Sequence, residues 1–541
     1  MGHRGRRAEG RQQVERPIGP LARPVATLKR RATPPWIWCG VIFLAGASAC
    51  DLAETRPSPA QNVLTIGVPE GSVAGTGVGL GQLTSTLTLE GLTQTSTSSD
   101  GRALPRLAAR WAWENEGRRL RLYLRPGVLF HDGTPFTSTL AAEALSRAIA
   151  RPSNRALYSS VVDIESVRSE GDLQLVLELS QPSAFLPEDL GLPLSIGPES
   201  IGTGPFRLVR RDSGGLELER FDRYYLGVPE IERVVVLPSD NLRTSWTRLL
   251  RGEVDMVTDV PPEAVEFIQD DDIQVISFPR SYQLLIAFNS ALPLFRPAAV
   301  RRALNVAVNR NALITNVLQG NGSPATGPIW PEHWAYDSTI QPFGYDPRGA
   351  ISLLEAAGFT ALSVDRSAKR PPARLRFTCL LPSNFTLLER IGLEVQKQLY
   401  DIGVDVQFEA VPIEEYDLRI REGRFEAVLA EMISGPSFGR PYLFWRSARE
   451  FKGLNVFGYE NQETERQFQI LRASLNEAAV RSATPRLQRA LLDDPPALFL
   501  AWNERARAVR RRYDVGTSDR DPLFTIWQWT ENSDRRLVST Q

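Results

Sequence analysis

The spacing of hydrophobic residues predicts short strands in the first half of the chain. Apolar and polar residues alternate, as in half-buried strands, in "RLRLYLR", "LQLVLEL", "PFRLVRR", "LELERF", "ERVVVLP", "IQVISFP" and "YQLLIAFN". Two other stretches have helical spacing: "TSTLAAEALSRAIA", with Thr137 as an N-cap, and "RTSWTRLLRGEV". We therefore expect a strand-rich region up to about residue 295.

Beyond this point, helices alternate with strands. The stretch "AAVRRALNVAVNRNALITNVLQG" predicts one helix closed by Gly320, and "TLLERIGLEVQKQLYDIG" predicts another that stops at Gly403. Strand "VDVQFEAV", helix "EEYDLRIREG" and strand "RFEAVLAEM" follow. This order predicts a parallel α/β sheet with right-handed crossovers, whose ligand crevice lies at the carboxyl ends of the strands. The loop after the last strand, "SGPSFGRP", should lie at that crevice.

The same loop contains a possible catalytic motif. Gly435-Pro436-Ser437-Phe438-Gly439 matches the GxSxG pattern of a hydrolase nucleophile elbow. An α/β-hydrolase needs its histidine after the serine, but His131 and His333 both precede Ser437. Because a serine without a general base is a poor nucleophile, we favour a binding loop. A lipoprotein serine hydrolase using Ser437 is kept as an alternative.

As a binding loop, this segment offers several kinds of ligand contact. Glycine lets the backbone approach a solute, hydroxyl groups can hydrogen-bond it, and aromatic rings supply flat apolar surface. The candidate contacts are Ser434, Gly435, Ser437, Phe438, Arg440 and Trp445. Phe438 and Trp445 could equally belong to a core. Arg440 favours an anionic or neutral polar ligand unless it is a solvated surface residue.

Composition narrows the possible functions. A chain of 541 residues is longer than one hydrophobic core usually serves, so we expect two or three domains. Its 63 basic and 63 acidic residues give zero net charge and no field that would attract nucleic acid. The three cysteines and three histidines exclude thiolate and histidine-rich metal sites. The loop "GSVAGTGVGLG" does not satisfy GxGxxG, so we expect neither a metal nor a cofactor.

Residues 1–49 have the pattern of a signal peptide, with an Arg-rich start and the apolar run "WIWCGVIFLAGASAC". That run has about 14 residues before Cys50, fewer than the roughly 20 needed to cross a bilayer. The site resembles the lipobox of bacterial lipoproteins, although Ala47 stands where that motif usually has Leu. The resemblance implies that Cys50 is acylated and anchors the exported protein on the periplasmic side of the cell membrane. The alternative is ordinary cleavage after Ala47 or Ala49.

Six stretches resemble, in order and spacing, family 5 of the extracellular solute-binding proteins. They are "AARWAWENEGRRLRLYLRPGVLFHDGTPFTSTLAAEAL", "GTGPFRLVRR", "LELERFDRYYLGVPEIERVVV", "LLRGEVDMVTDVPPEAV", "LLIAFNSALPLFRPAAVRRALNVAVNRNALI" and "YDPRGAISLLEAAGF". The resemblance implies a type II periplasmic-binding-protein-like α/β fold, with two lobes joined by a hinge and an inserted extra domain. The implied segments are 1–49 signal peptide, 50–61 lipidated Cys and linker, 62–86 first part of lobe I, 87–196 inserted domain, 197–292 second part of lobe I, 293–498 lobe II, and 499–541 return to lobe I and tail.

The resemblance also implies a function. Such a protein is the substrate-binding component of an ABC importer, which binds a small solute between its lobes and works with permease and ATPase subunits. We expect a monomer that performs no chemistry itself. By position in the family, the residues Leu92, Thr93, Asn289 and Trp330 would face the cleft. The alternative is an orphan solute-binding sensor or accessory lipoprotein with a degenerate pocket.

One departure from the family bears on the solute. Peptide-binding members carry an Asp after the last strand that holds the amino group of the peptide, whereas no Asp or Glu occurs between Glu431 and Glu450. A buried ammonium without a counter-charge is costly. We therefore expect a small solute, peptide-like or other, that is not a standard peptide held by its amino terminus.

Overall fold

The computed structural model describes residues 62–69, 79–95, 100–197, 201–260, 270–341, 343–360, 372–447, 455–516 and 521–532. The predicted signal peptide, Cys50 and the linker lie outside the described residues. In the part of the chain that is described, no helix is long and apolar enough to cross a membrane.

Strands and helices account for most of the described chain. The strands are β1 (Val63–Pro69), β2 (Thr93–Thr95), β3 (Ala103–Pro105), β4 (Ala108–Glu114), β5 (Arg119–Leu124), β6 (Ile164–Glu170), β7 (Gln174–Leu179), β8 (Phe206–Asp212), β9 (Gly215–Arg220), β10 (Arg233–Ser239), β11 (Met256–Val260), β12 (Ile273–Phe288), β13 (Gly322–Pro324), β14 (Leu375–Pro382), β15 (Val404–Val411), β16 (Ala427–Ile433), β17 (Ala497–Arg510), β18 (Tyr513–Asp514) and β19 (Thr530–Glu531). The α-helices are α1 (Leu80–Thr88), α2 (Ser138–Ala150), α3 (Pro152–Leu157), α4 (Leu186–Asp189), α5 (Leu242–Leu250), α6 (Ala298–Val306), α7 (Arg310–Asn316), α8 (Pro347–Ala356), α9 (Thr386–Tyr400), α10 (Ile413–Arg421), α11 (Gly439–Trp445), α12 (Gln462–Ala473) and α13 (Glu477–Asp493). Short 3-10 helices cover Asn115–Gly117, Val161–Asp163 and Pro522–Gln528.

A single large sheet organises the molecule. Its strand order is β15-β14-β16-β12-β17-β11-β1-β10-β9-β8, with β13 paired to β17. Strand β14 lies parallel to both β15 and β16, and β1 lies parallel to both β10 and β11. The α/β class and the parallel arrangement predicted for the strands after residue 295 are therefore confirmed.

Two long strands, β12 and β17, connect the two halves of this sheet. Residues 273–279 of β12 pair with 504–510 of β17, and residues 283–287 pair with 497–502, with a register shift between the two sets. We predicted two separate strands here, and this was wrong: the register shifts between Pro279 and Gln283, directly after a residue that has no N–H to donate, but β12 continues past it. The interruption places irregular backbone in the middle of the sheet.

The helical predictions held with one exception. The Thr137 side chain accepts a hydrogen bond from the N–H of Leu140 and caps α2, and Gly403 has a positive φ of 78° just after α9. The single helix expected up to Gly320 is instead two helices, α6 and α7. The side chain of Asn309 accepts from the N–H of Ala312 and thereby starts α7 afresh.

The hydrophobic cores follow the sheets. Leu304 and Val406 belong to a cluster on one face of the β15-β14-β16 half, and Trp445 belongs to another cluster that includes Val428. Strands β4-β5-β7-β6 form a separate four-stranded sheet with its own core, which includes Leu120. This small sheet lies within the predicted inserted segment; the bounds of the lobes and of the insertion stay a prediction.

Candidate ligand-binding cleft

A cavity of about 580 Å³ lies where β12 and β17 pass between the two halves of the large sheet. This volume is within the range of about 300–1,000 Å³ that is typical of small-molecule sites. Its ionisable lining residues include Glu90, Arg106, Glu188, Asp259, Arg280, Arg505, Arg507 and Asp521, and its aromatic lining includes Tyr158, Phe278, Tyr282, Trp330, Phe524 and Trp527. The walls come from α1, β2, residues 188–193, β11, the middle of β12 and β17, and residues 521–527.

On one wall, Glu90 is fully paired. Its Oε1 atom lies 2.5 Å from Nε of Arg106 and accepts hydrogen bonds from the hydroxyls of Tyr224 at 2.9 Å and Tyr225 at 3.1 Å. Its Oε2 atom accepts from the hydroxyl of Thr203 at 2.8 Å. This saturated network fixes the carboxylate and leaves it no free charge to offer a solute.

The arginines on the β12 and β17 side also have acidic partners. Arg505 donates to both carboxylate oxygens of Glu431 at 3.2–3.3 Å and lies 3.6 Å from Asp259. Burial raises the pKa of Asp259, against the opposing effect of Arg505. Arg280 lies 3.8 Å from Glu431, and its guanidinium stacks 3.8 Å from the ring centre of Tyr282.

The remaining arginine of the cavity, Arg507, forms a bidentate pair with Asp521. Its Nε and Nη2 atoms each lie 2.5 Å from one carboxylate oxygen, and Nη1 donates to the carbonyl of Thr258. Because these arginines are matched by carboxylates, this side of the cavity is polar without excess charge.

Glu188, the third residue of α4, differs from the other acids. Its Oε2 atom is buried and has no hydrogen-bond partner among the described residues. Burial and, secondarily, the like charge of Asp189 raise the pKa of Glu188 to about 8, against the opposing effect of its own backbone N–H. At neutral pH the cavity therefore contains an uncharged carboxyl group. Sequence reasoning missed Glu188; the available signal was an acidic pair inside the apolar run "AFLPEDLGLPL".

Two of the residues predicted from the sequence line this cavity, namely Thr93 and Trp330. The hydroxyl of Thr93 donates to the carbonyl of Pro187 at 2.5 Å, which ties β2 to α4. Trp330 meets Trp502 edge to face, with ring centres 4.8 Å apart. From the GxSxG loop and the strand before it, the lining residues are Pro436 and Ile433.

The other predicted contacts lie outside the cavity lining. They are Leu92, Asn289, Ser434, Gly435, Ser437, Phe438, Arg440 and Trp445. Leu92 is fully buried in the core of the four-stranded sheet. The amide of Asn289 donates to the carbonyls of Gly423 and Phe425, and the hydroxyl of Ser434 donates to that of Pro328.

The aromatic residues of the loop belong to a core, which was the alternative interpretation. Phe438 packs with its ring centre 4.3 Å from that of His333, and Trp445 stacks on Phe457 at 5.4 Å. Gly435 has a φ of 66°, a conformation that favours glycine and turns the chain into α11. In this loop, glycine and aromatic residues therefore serve the local packing.

Arg440 is placed against the inserted segment. Its guanidinium lies 5.4 Å from the ring centre of Tyr158, and it lowers the pKa of Asp189, which burial raises more strongly. Asp189 accepts hydrogen bonds from the N–H and hydroxyl of neighbouring serines, Ser160 and Ser159 respectively. Arg440 thus lies near an acid of the protein and outside the cavity lining, while its Nη1 atom is buried without a hydrogen-bond partner among the described residues.

Further contacts join the inserted segment to the C-terminal half near the cavity. The guanidinium of Arg472 pairs with the buried carboxylate of Asp163, and the carbonyl of Arg472 accepts from the N–H of Ala184 at 2.6 Å. Phe185 packs between Phe438 and Tyr442, with ring centres 6.2 and 5.6 Å away. These contacts connect the inserted segment to α11 and α12.

The geometry around Ser437 does not form a catalytic triad. Its hydroxyl accepts from the N–H of Gly439 at 3.4 Å, and no hydrogen bond joins it to a histidine within the described ranges. Burial lowers the pKa of His333 to about 4, and its Nδ1 accepts from the N–H of Ala335 at 3.1 Å. The neutral ring must then carry its proton on Nε2 and cannot take one from Ser437. His131 contacts the carbonyl of Gly204 through Nε2.

The described residues contain no group of three or more His, Cys, Asp or Glu side chains that could hold a metal ion.

Comparisons with known proteins agree with this architecture. The model of bacterial extracellular solute-binding proteins, family 5 Middle, matches residues 102–451. The chain is 27% identical over 323 residues to the glutathione-binding protein GsiB of Pectobacterium atrosepticum, a match that covers 56% of this chain and 60% of GsiB. It is 23% identical over 435 residues to the oligopeptide-binding protein AppA of Bacillus subtilis, covering 75% of this chain and 79% of AppA.

Solved structures show the same fold. NikZ from Campylobacter jejuni, in complex with Ni(L-His), superposes with a TM-score of 0.73 at 20% identity and covers 87% of this chain and 100% of NikZ. AppA from Bacillus subtilis, in complex with a nonapeptide, superposes with a TM-score of 0.72 at 19% identity, with the same coverage. Because the family model matches more than half of the chain, the chain belongs to family 5 of the bacterial extracellular solute-binding proteins.

Proposed function

We propose that this protein is the substrate-binding component of an ABC importer. It captures a small solute in the cavity between the two halves of the sheet and delivers it to a membrane permease, while separate subunits use ATP. The observation that carries the proposal is the cavity itself, which has the volume of a small-molecule site and an aromatic and polar lining. The family membership supports the same role.

Binding would work through a change in the relative populations of open and closed forms. The irregular pairing of β12 and β17 near Pro279 supplies a bend between the two halves. A solute that contacts both sides favours that closed form, which the permease then recognises.

The solute is small and peptide-like or otherwise polar. Relatives named for binding glutathione and oligopeptides support a peptide-like compound. The acid that holds a peptide amino group in the family is missing from residues 432–449, so a standard peptide bound in the standard way has less support.

Native mass spectrometry of protein purified without refolding tests the binding role. We expect a co-purified small molecule, and a rise in melting temperature when that compound is added back. A ligand at 100 times its Kd adds about 2.7 kcal/mol of stability, which a thermal scan detects. If no compound co-purifies and no member of a peptide, sugar and amine library raises the melting temperature, the importer role fails.

We further propose that the protein is exported, lipidated at Cys50, anchored on the periplasmic side of the cell membrane, and monomeric. The small residues before Cys50 and the preceding apolar run support this. Cys50→Ser should release the protein from the membrane fraction, whereas Cys39→Ser, which lies inside the predicted leader, should not. Membrane association that survives Cys50→Ser would contradict lipidation.

Catalysis by Ser437 has little support. Because its hydroxyl lacks a general base, a fluorophosphonate probe should not label the folded protein. Covalent labelling that is lost in Ser437→Ala would instead establish a hydrolase.

A further inference from the structure

Among the described residues that line the cavity, every charged side chain except one lies beside a side chain of opposite charge. Glu90 pairs with Arg106, Asp259 with Arg505, and Asp521 with Arg507. Glu188 lines the same cavity, and its buried Oε2 atom has no hydrogen-bond partner among the described residues.

No cation of the protein compensates Glu188 within the described ranges. The charged group that acts on Glu188 is the adjacent Asp189, which has the same charge and is itself engaged with Ser159 and Ser160. Arg440 and Tyr158 face Asp189. Glu188 as a whole is half-buried, but a carboxyl oxygen that is buried without a partner is costly and calls for an explanation such as a bound ion or water.

Glu188 itself favours a cation as that missing partner. The rings of Tyr158 and Tyr282 in the cavity lining already face Arg440 and Arg280, so the preference for a cation comes from the uncompensated carboxyl group itself. An anionic solute would meet arginines that already have carboxylate partners and would gain little. A neutral solute could accept a hydrogen bond from the protonated carboxyl group and donate one to its other oxygen, but it would not stabilise the carboxylate.

We propose that Glu188 is the specificity-determining residue of the cleft and binds a protonated nitrogen, an ammonium or guanidinium group, of the solute. This inference rests on the proposed function and names its substrate class. The missing acid in the loop after β16 then does not exclude an amine, because α4 brings a carboxyl group to the cavity from a different segment. The amine would be held at the wall formed by the inserted segment.

Binding would include a proton transfer. The carboxyl group of Glu188 is protonated in the ligand-free cavity at pH 7 because its pKa is raised to about 8. An arriving cation stabilises the carboxylate, so the proton leaves to the solvent. Titration calorimetry in buffers with different ionisation enthalpies should therefore detect the release of about one proton per amine bound at pH 7.

Three matched pairs of probes test the proposal: putrescine, tyramine and glycyl-leucinamide, each beside the uncharged form in which every amino group is acetylated. We expect at least one amine to raise the melting temperature of the wild-type protein while its acetylated form does not. Glu188→Gln keeps the size of the side chain and should weaken the affinity for that amine by about 30-fold or more. Glu165→Gln is the control, because it makes the same substitution at an exposed position of the same segment outside the cavity.

The outcomes separate this inference from the importer role. If Glu188→Gln binds the amine as tightly as the wild type, or if no proton is released, the inference is wrong. If uncharged or anionic solutes stabilise the protein and no amine does, the inference fails while the binding function stands. If no solute of any charge binds, both fail.

Discussion

Replacing Glu188 by Gln should stabilise the ligand-free protein, and the gain should grow with pH. The folded state holds a proton on Glu188 up to a pKa of about 8, whereas an unfolded chain releases it near the ordinary value of 4.5. Between these two values the folded state binds more protons than the unfolded state, so the stability of the wild type falls as pH rises. The Gln side chain has no proton to lose and avoids this cost.

The magnitude follows from the shift. A difference of about 3.5 pKa units at about 1.36 kcal/mol each gives an upper limit of about 5 kcal/mol above pH 8. Water that enters the cavity and stabilises the carboxylate would reduce this, so we expect a gain of about 2–3 kcal/mol at pH 9 and almost none at pH 4. Ionisation of Asp189 on the same helix adds to the cost in the wild type.

Urea unfolding of ligand-free wild type, Glu188→Gln and Glu165→Gln at pH 4, 7 and 9 measures the effect, with equal m-values showing that the same surface unfolds. The exposed control should follow the wild type at every pH. A stability difference between wild type and Glu188→Gln that is constant with pH, or that favours the wild type at pH 9, would refute the reasoning.

Three further results are expected. Asp163→Ala should lower the free energy of unfolding, measured in urea, by about 3–5 kcal/mol, because it leaves the guanidinium of Arg472 buried and unpaired. Adding Arg472→Met should recover part of this loss, and no recovery would contradict the pairing. Trp445→Ala should lower the free energy of unfolding by about 3–5 kcal/mol, because core packing is lost. If the variant instead loses solute affinity and keeps its melting temperature, Trp445 is a ligand contact after all. The thiol of Cys379 is buried, which raises its pKa, so a thiol reagent should react with it only after unfolding; rapid labelling of the folded protein would contradict the packing.

Local patterns in the sequence were sufficient for most elements. Alternating leucines predicted β5, and the order of helix and strand after residue 295 predicted the parallel arrangement of β14, β15 and β16. These features depend on residues close together in the chain, whose periodicity states which face must be buried.

Patterns were insufficient where distant segments decide the outcome. Pro279 suggested the end of a strand, yet β12 continues because β17 and β16 pair with it on either side. Asn309 split a continuous helical pattern by capping a second helix, and its N–H donates to the side chain of Gln398, 89 residues away. In both cases a tertiary or capping interaction outweighed the local preference.

The candidate site depends even more on contacts between distant segments, which local sequence patterns do not predict. The sequence by itself determined the fold class, the family resemblance, and the absence of a histidine downstream of Ser437. Only the tertiary structure decided which side chains meet at the cavity: it directed Phe438 and Trp445 into a core and brought Glu188 to the cavity wall. The physical reason is that a binding site depends on the direction of each side chain and on the partners that neutralise it. Both are set by packing between segments hundreds of residues apart.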